Sequence, residues 1–341
     1  MRPATMLATA ASHHLFRPLP APSEVHLWCL FPDDVRDSKL MNMYQNLLSS
    51  DEQKKILEAN NVKTQNERLL ARTLVRTTLA RYGMVDPSSL SFTTNKFGKP
   101  KVIWPSQVEG NNSWTPNSLC FNLSHTQSLL ACAVTIDSEV GIDVEEKDRK
   151  LSRNLMALAR RRFSPEEADW LSRFEDPTQQ QQRFMQLWTL KEAYVKALGT
   201  GISETPLKDF SFALKPSFHA QSCLERAVNC TAHSQAESIT MEFSRLMASN
   251  NKSRIPANRW QFLLLQPSPL HIASVCTQIH QPHSPDDENL EEVSKCFTMK
   301  MWRTVPLVGD MNLTEGAVAL GMSLPAQEVL SSDTKTSLKQ Y

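Results

Sequence analysis

Twice along this chain a strand-like apolar run gives way to helical periodicity and then to further strands, and no other feature restricts the fold as much. The first round opens at residues 25–31, closed by the turn Pro32-Asp33-Asp34. Helical spacing follows over 39–59, through Leu40, Met43, Tyr44, Leu47 and Leu48, and over 66–82, through Leu69, Leu70, Leu74, Val75 and Leu79. Short strands are expected at 90–94 and 101–104 around the turn Phe97-Gly98-Lys99-Pro100, and a longer extended region at 119–136. The second round starts with a strand at 140–144 and continues through a helix at 152–163 and a long helix at 179–198. It ends in strands at 210–214, 260–265 and 271–276. Element order alone, without a visible sequence repeat, divides the chain into an α+β half at 24–137 and a second at 138–278. Residues 215–257, rich in Ser, Ala and Asn, read as a loop inserted in the second half. Residues 279–341 open with His283-Ser284-Pro285-Asp286-Asp287-Glu288 and read as a mostly disordered tail with room for a short docking segment.

Composition narrows the class. The 341 residues are 40% apolar and 21% charged, enough for a substantial core and against global disorder. Thirty-seven basic side chains stand against thirty-six acidic ones, so no bulk field draws the chain to nucleic acid or to a membrane surface. The longest apolar run, Leu129-Leu130-Ala131-Cys132-Ala133-Val134, is far short of the roughly 20 residues of a spanning helix, and the chain reads as soluble. Seven cysteines, with no CxxC pair and several inside apolar runs, suit buried reduced thiols better than a disulfide framework or a zinc site. Residues 1–23 carry Arg2 and Arg17 but no acid, in the manner of a transit peptide for a mitochondrion or other organelle. A plain disordered start of a cytoplasmic protein is the alternative.

Three stretches carry chemistry. In Gly141-Ile142-Asp143-Val144-Glu145, strand alternation puts Asp143 and Glu145 on one side. Two hard oxygen donors without thiols or paired histidines favour Mg²⁺, although a solvated strand end has the same composition. In Trp188-Thr189-Leu190-Lys191-Glu192-Ala193-Tyr194-Val195-Lys196, the positions Trp188, Glu192 and Lys196 share one helical face, which an ordinary surface ion pair also explains. The third stretch, Asn122-Leu123-Ser124-His125, offers a hydroxyl and an imidazole to a phosphate, or else a turn pair. Further cations stand at Lys99 in its tight turn, at Lys54 and Lys55, and at Arg68, Arg72 and Arg76, a stripe that usually marks a solvated face. Neither GxxxxGK[ST], GxGxxG nor GxSxG occurs, which disfavours P-loop kinases, Rossmann dehydrogenases and serine hydrolases.

Taken together and in this order, the pieces resemble the surfactin-type (Sfp-type) 4'-phosphopantetheinyl transferases. The matching segments are Phe97-Gly98-Lys99-Pro100, Phe121-Asn122-Leu123-Ser124-His125, Gly141-Ile142-Asp143-Val144-Glu145, and Phe184 through Lys196. The resemblance covers residues 25–276. It implies an α+β fold of two pseudo-symmetric α/β subdomains with the active site in the cleft between them. It also implies Mg²⁺-dependent transfer of 4'-phosphopantetheine from coenzyme A to a serine of an apo acyl, peptidyl or aminoadipate carrier protein, releasing 3',5'-ADP. By position, Asp143, Glu145 and Glu192 would hold Mg²⁺, with Glu192 as base and Lys196 at the departing phosphate. Lys55, Arg72, Lys99, Ser124, His125, Lys191 and Lys196 would face coenzyme A. Arg160-Arg161-Arg162, at a helix end, would meet the acidic carrier, although cations also favour any helix C-terminus. Met185 departs from the family, where an aromatic often follows the position of Phe184, and 215–257 and 279–341 have no counterpart in compact bacterial members. Two halves in one chain need no partner to complete a cleft, so a monomer is expected. Fatty-acid synthesis in an organelle, a cytosolic multidomain synthase and a lysine-pathway reductase would all look alike as the source of the carrier. A non-catalytic coenzyme A or carrier-protein binding module and an unrelated Mg²⁺-dependent phosphotransferase are the competing readings.

Overall fold

The computed structural model describes residues 17–105, 118–150, 154–227, 231–243, 259–279, 297–314 and 318–323. The first half runs β1 (Glu24–Leu30), α1 (Ser38–Gln45), α2 (Ser50–Leu57), α3 (Val62–Gly83), β2 (Ser91–Thr94), β3 (Pro100–Ile103), β4 (Leu119–His125) and β5 (Leu130–Ile136). The second runs β6 (Val140–Glu146), α4 (Leu155–Arg162), α5 (Pro165–Ser172), α6 (Pro177–Leu198), α7 (Gly201–Glu204), β7 (Phe210–Pro216), α8 (Phe218–Ala227), β8 (Thr231–Phe243), β9 (Trp260–Ser268) and β10 (His271–Gln278). Three strands follow: β11 (Thr298–Val305), β12 (Gly309–Asn312) and β13 (Val318–Met322).

Local chemistry explains where the elements break. The helical pattern over 39–59 is two helices, because Ser49 caps α2 in a box with Glu52. The same device, Ser164 with Glu167, starts α5, which periodicity alone did not show. The apolar region 119–136 is a hairpin, β4 and β5, whose turn is closed by Thr126 N–H donating to the Leu129 carbonyl at 2.8 Å.

Two sheets form, ordered β12-β11-β1-β5-β4 and β6-β10-β9-β13-β8-β7, with β2 and β3 as a separate ribbon. Helix α3 covers one face of the first sheet through Leu70, Leu74 and Leu79 against Trp28, Leu130 and Cys132. Helix α6 covers one face of the second through Leu187, Leu190 and Tyr194 against Phe262, Leu264 and Cys276. The remaining faces share a core in which Leu27, Ala131 and Met299 of the first sheet join Ile142, Val144 and Val275 of the second. This is the mixed α+β fold expected from element order, but strands from 298–322 enter both sheets, so neither sheet is confined to 24–137 or 138–278.

Within the tail, residues 297–314 and 318–323 contribute strands to the sheets, and 280–296, 315–317 and 324–341 lie outside the described residues. Strand β11 pairs in parallel with β1, and β13 lies between β8 and β9. In Thr298-Met299-Lys300-Met301 the apolar residues alternate inward, but the polar stretch ahead of them hides the strand. Trp302 stacks on Trp28 at 4.5 Å, Lys300 pairs with Glu24 at 3.0 Å, and Tyr44 donates to the Pro306 carbonyl at 2.8 Å. The stretch 215–257 is not a plain loop: α8 and β8 occupy much of it, with Ile239 and Met241 buried and Thr240 and Glu242 exposed in alternation. Residues 244–258 and 280–296 lie outside the described residues. Of the leader, residues 1–16 also lie outside them, whereas Arg17 pairs with Asp310 at 3.2 Å. No described helix is long and apolar enough to cross a membrane. Cys29, Cys120, Cys132 and Cys276 are free thiols.

Asp310 is the anchor of the tail: Arg81, itself buried, donates to both of its oxygens at 2.9 Å. Asp310→Ala leaves that guanidinium unpaired, and urea unfolding is expected to show a loss of about 3–5 kcal/mol. Asp33→Ala, at the exposed pair with Arg36, is expected to stay within about 0.5 kcal/mol of the parent.

Candidate active site

Strand β6 turns Val140, Ile142 and Val144 into the shared core and Gly141, Asp143 and Glu145 toward α6. A Cβ at Gly141 would stand 2.0 Å from the Ala193 carbonyl oxygen and 2.4 Å from Ala197 N. The missing side chain therefore lets α6 lie directly on the strand. At that separation Lys196 Nζ reaches Asp143 Oδ1 at 2.7 Å and Ser124 Oγ at 2.9 Å. The Ser124 hydroxyl in turn donates to Asp143 Oδ1 at 3.1 Å and accepts from Val144 N–H at 3.2 Å. Asn122, two residues earlier on β4, accepts from Ile142 N–H at 3.0 Å. Asp143 is thus held through one oxygen, while its buried Oδ2 has no hydrogen-bond partner among the described residues.

The three carboxylates feel one another. Burial raises Asp143 against the pull of Lys196. Burial and the Asp143 charge raise Glu145, which Arg149 contacts through a charge-assisted hydrogen bond. Burial together with Asp143 and Glu145 pushes Glu192 up to about 7. Like charges desolvated together disfavour ionisation, and an added cation relieves that strain. Among the described residues no three His, Cys, Asp or Glu side chains are already drawn up as a metal-ligand set. The donor chemistry nonetheless fits a hard divalent ion: carboxylate oxygens, one of them buried and unpartnered.

Several expected residues are committed elsewhere. Lys191 does not face a ligand: fully buried, it pairs with Glu167 at 2.8 Å and donates to the carbonyls of Leu207 and Phe210, with Phe210 4.5 Å beneath it. Its place one step before Glu192, about 100° around the helix, turns it to a different, packed side of α6. Lys99 is likewise occupied, donating to Glu139 at 2.6 Å and to the Ala197 carbonyl at 2.7 Å, so it clamps the ribbon turn to the end of α6. Asn95 adds a bond to the Gly199 carbonyl at 2.8 Å. The Ser124 hydroxyl belongs to the carboxylate side of the site, and its bonds leave nothing for a phosphate. His125, Lys55 and Arg72 are exposed, whereas Arg76 of the same stripe is buried against Glu52. Arg160 and Arg161 are exposed at the end of α4, and Arg162 is half-buried.

Sequence reading passed over a second polar cluster across the same junction. His271 is buried, with Nδ1 at 2.7 Å from Ser268 Oγ and Nε2 at 2.9 Å from Ser128 Oγ, and Ser128 donates to Glu146 at 2.6 Å. Ser128, Glu146 and His271 lie far apart in the chain, and no spacing rule links them. The stretch Asn122-Leu123-Ser124-His125 was legible as polar residues between apolar runs, but the strand edge that Asn122 and Ser124 serve was not.

The 4'-phosphopantetheinyl transferase superfamily profile matches residues 139–245. Over 197 residues the chain is 35% identical to the 4'-phosphopantetheinyl transferase HetI of Nostoc sp. (strain PCC 7120), covering 57% of this chain and 76% of that protein. It is 31% identical over 173 residues to the 4'-phosphopantetheinyl transferase Sfp of Bacillus subtilis (strain 168), covering 50% and 68%. A further 4'-phosphopantetheinyl transferase of Bacillus subtilis is 35% identical over 152 residues, covering 44% of this chain and 59% of that protein.

The site makes two demands that stability measurements read. Gly141→Ala drives a methyl group into the backbone of α6, and urea unfolding is expected to show a loss of about 3 kcal/mol or more; a loss below about 1 kcal/mol would mean the helix has room to move. Glu192 prefers its protonated form in the fold, so its contribution is favourable below its unfolded value of 4.5 and is lost as pH rises through about 7. In EDTA, Glu192→Gln is therefore expected to melt above the parent by a few degrees at pH 8, and the gap should close by pH 5.

Proposed function

The chain belongs to the Sfp-type 4'-phosphopantetheinyl transferase family, and on that premise we propose that it carries out Mg²⁺-dependent transfer of 4'-phosphopantetheine from coenzyme A to a serine of an apo carrier protein. The observation that carries the proposal is the buried, unpartnered Oδ2 of Asp143, set beside Glu145 and Glu192 in one field with Lys196 across from it. Asp143, Glu145 and Glu192 would hold the ion, which when bound neutralises charge on the diphosphate.

The chain's own residues supply the rest. The carrier serine oxygen forms a bond to phosphorus, the bond from that phosphorus to the bridging oxygen breaks, and 3',5'-ADP leaves. Glu192, held near neutrality at about 7, is placed to take the hydroxyl proton. The ammonium of Lys196 counters charge on the phosphate that departs. Exposed His125, Lys55 and Arg72 remain available to the anionic groups of coenzyme A, whereas Lys191, Lys99 and Ser124 are withdrawn from that role. Arg160 and Arg161, exposed where α4 ends, suit an acidic carrier, acyl, peptidyl or aminoadipate. The acid-free start of the chain supports an organelle, and with it the carrier of organellar fatty-acid synthesis, over the cytosol. Both halves come from one chain, which supports a monomer.

The test is the intact mass of an apo acyl carrier protein incubated with the full chain, coenzyme A and Mg²⁺. A gain of one phosphopantetheine, abolished by EDTA and lowered at least about 100-fold in rate by Glu192→Gln, is expected. No gain on any of several carriers, with coenzyme A still bound, would leave a non-catalytic binding module instead.

A further inference from the structure

Two of the three carboxylates already carry a cation, and the two cations differ in freedom. Lys196 is fixed on α6 with its Nζ shared between Asp143 and Ser124. Arg149 lies in the turn after β6, its Nη1 donating to Glu145 Oε1, with the arginine side chain 50% exposed and that of Glu145 only 12%. The backbone at this position is tethered from both sides. Arg149 N–H donates to the Glu146 carbonyl at 3.1 Å, and the Arg149 carbonyl accepts from Gln181 Nε2 at 3.3 Å. Only the guanidinium is therefore free to turn. A guanidinium on a carboxylate competes with a divalent cation for the oxygen it holds, here Oε1 of Glu145, and its planar donor fork fits phosphate equally well.

We propose that Arg149 is a tethered counter-ion: it holds Glu145 in place before a divalent cation binds, gives Glu145 up to that cation, and turns its guanidinium to the diphosphate of the incoming substrate. This rests on the reading of Asp143, Glu145 and Glu192 as a cation site. It assigns Arg149 as a positioning residue for the metal site and a binding residue for the anion. The i,i+4 spacing of the pair suggests a helical surface contact, yet the residues lie on a strand and in its following turn.

The two halves of the proposal pull in opposite directions, which makes them separable. Calorimetric titration of the full chain with Mg²⁺ alone, and with Mn²⁺ alone, would compare the parent with Arg149→Gln and Arg149→Lys. Loss of a half-exposed competing pair is expected to tighten metal binding about two- to five-fold in Arg149→Gln. In the transfer assay at saturating Mg²⁺, the same variant is expected to raise KM for coenzyme A about three-fold or more, a larger factor than any fall in kcat. Arg149→Lys should fall between on both measures, since it keeps the charge and loses the fork. Unchanged or weaker metal binding in Arg149→Gln overturns the counter-ion proposal, and an unchanged KM overturns the anion half. A parent that binds neither metal, while Gln and Lys variants behave alike, overturns the cation site itself and this proposal with it.

Discussion

The two sheets meet at edge strands that share no backbone ladder. Strand β4 ends one sheet and β6 begins the other, and the N–H groups of Ile142 and Val144 are satisfied by side chains, Asn122 and Ser124. Unpaired edge groups invite pairing with other chains, so a junction made this way both covers two edges and fixes their register. Everything else at the site hangs from it. The same Ser124 that accepts from β6 also orients Asp143 and Lys196, and the Ser128–His271–Glu146 cluster and the Lys99 clamp pin the junction toward either end. A side-chain seam also leaves more freedom than a ladder, which suits two halves that are expected to admit a ligand between them.

Helix α6 is held on its other side by a different device. Lys191 and Glu167 pair inside a cage of Phe163, Phe210 and Phe212, and Glu167 also accepts from Phe212 N–H at 2.8 Å. A buried pair of this kind adds little net stability over an apolar isostere but penalises any rotation of the helix that separates it. Such a rotation is what would carry Glu192 away from Asp143. Neighbouring residues in one motif therefore do unlike work, Lys191 setting the helix and Glu192 presenting its carboxylate.

What the sequence made legible follows range of interaction. Asp143 and Glu145 share a face by strand alternation, Glu192 and Lys196 by helical spacing, and both readings need nothing beyond local geometry. The partners of Lys191 and Lys99 were not legible, because a lysine in a motif looks free until its acceptors are known, and those acceptors, Glu167 and the Ala197 carbonyl, are remote in the chain. Strands β8 and β11 to β13 escaped for a related reason. Small polar residues dilute the alternation of β8, and β11 follows a long polar stretch, so each reads as a strand once its partner is in place.

Strand β13 fills the gap between β8 and β9, and β11 completes the flank of β1, so the segments that finish both sheets are made well after the strands they pair with. Pairings this distant in sequence close slowly, and an elongating chain exposes the open flanks of β1 and β9 until synthesis has passed residue 322. A nascent copy must therefore keep two unfinished sheets apart from those of its neighbours, which makes the interval before these strands emerge the time when it most needs a chaperone.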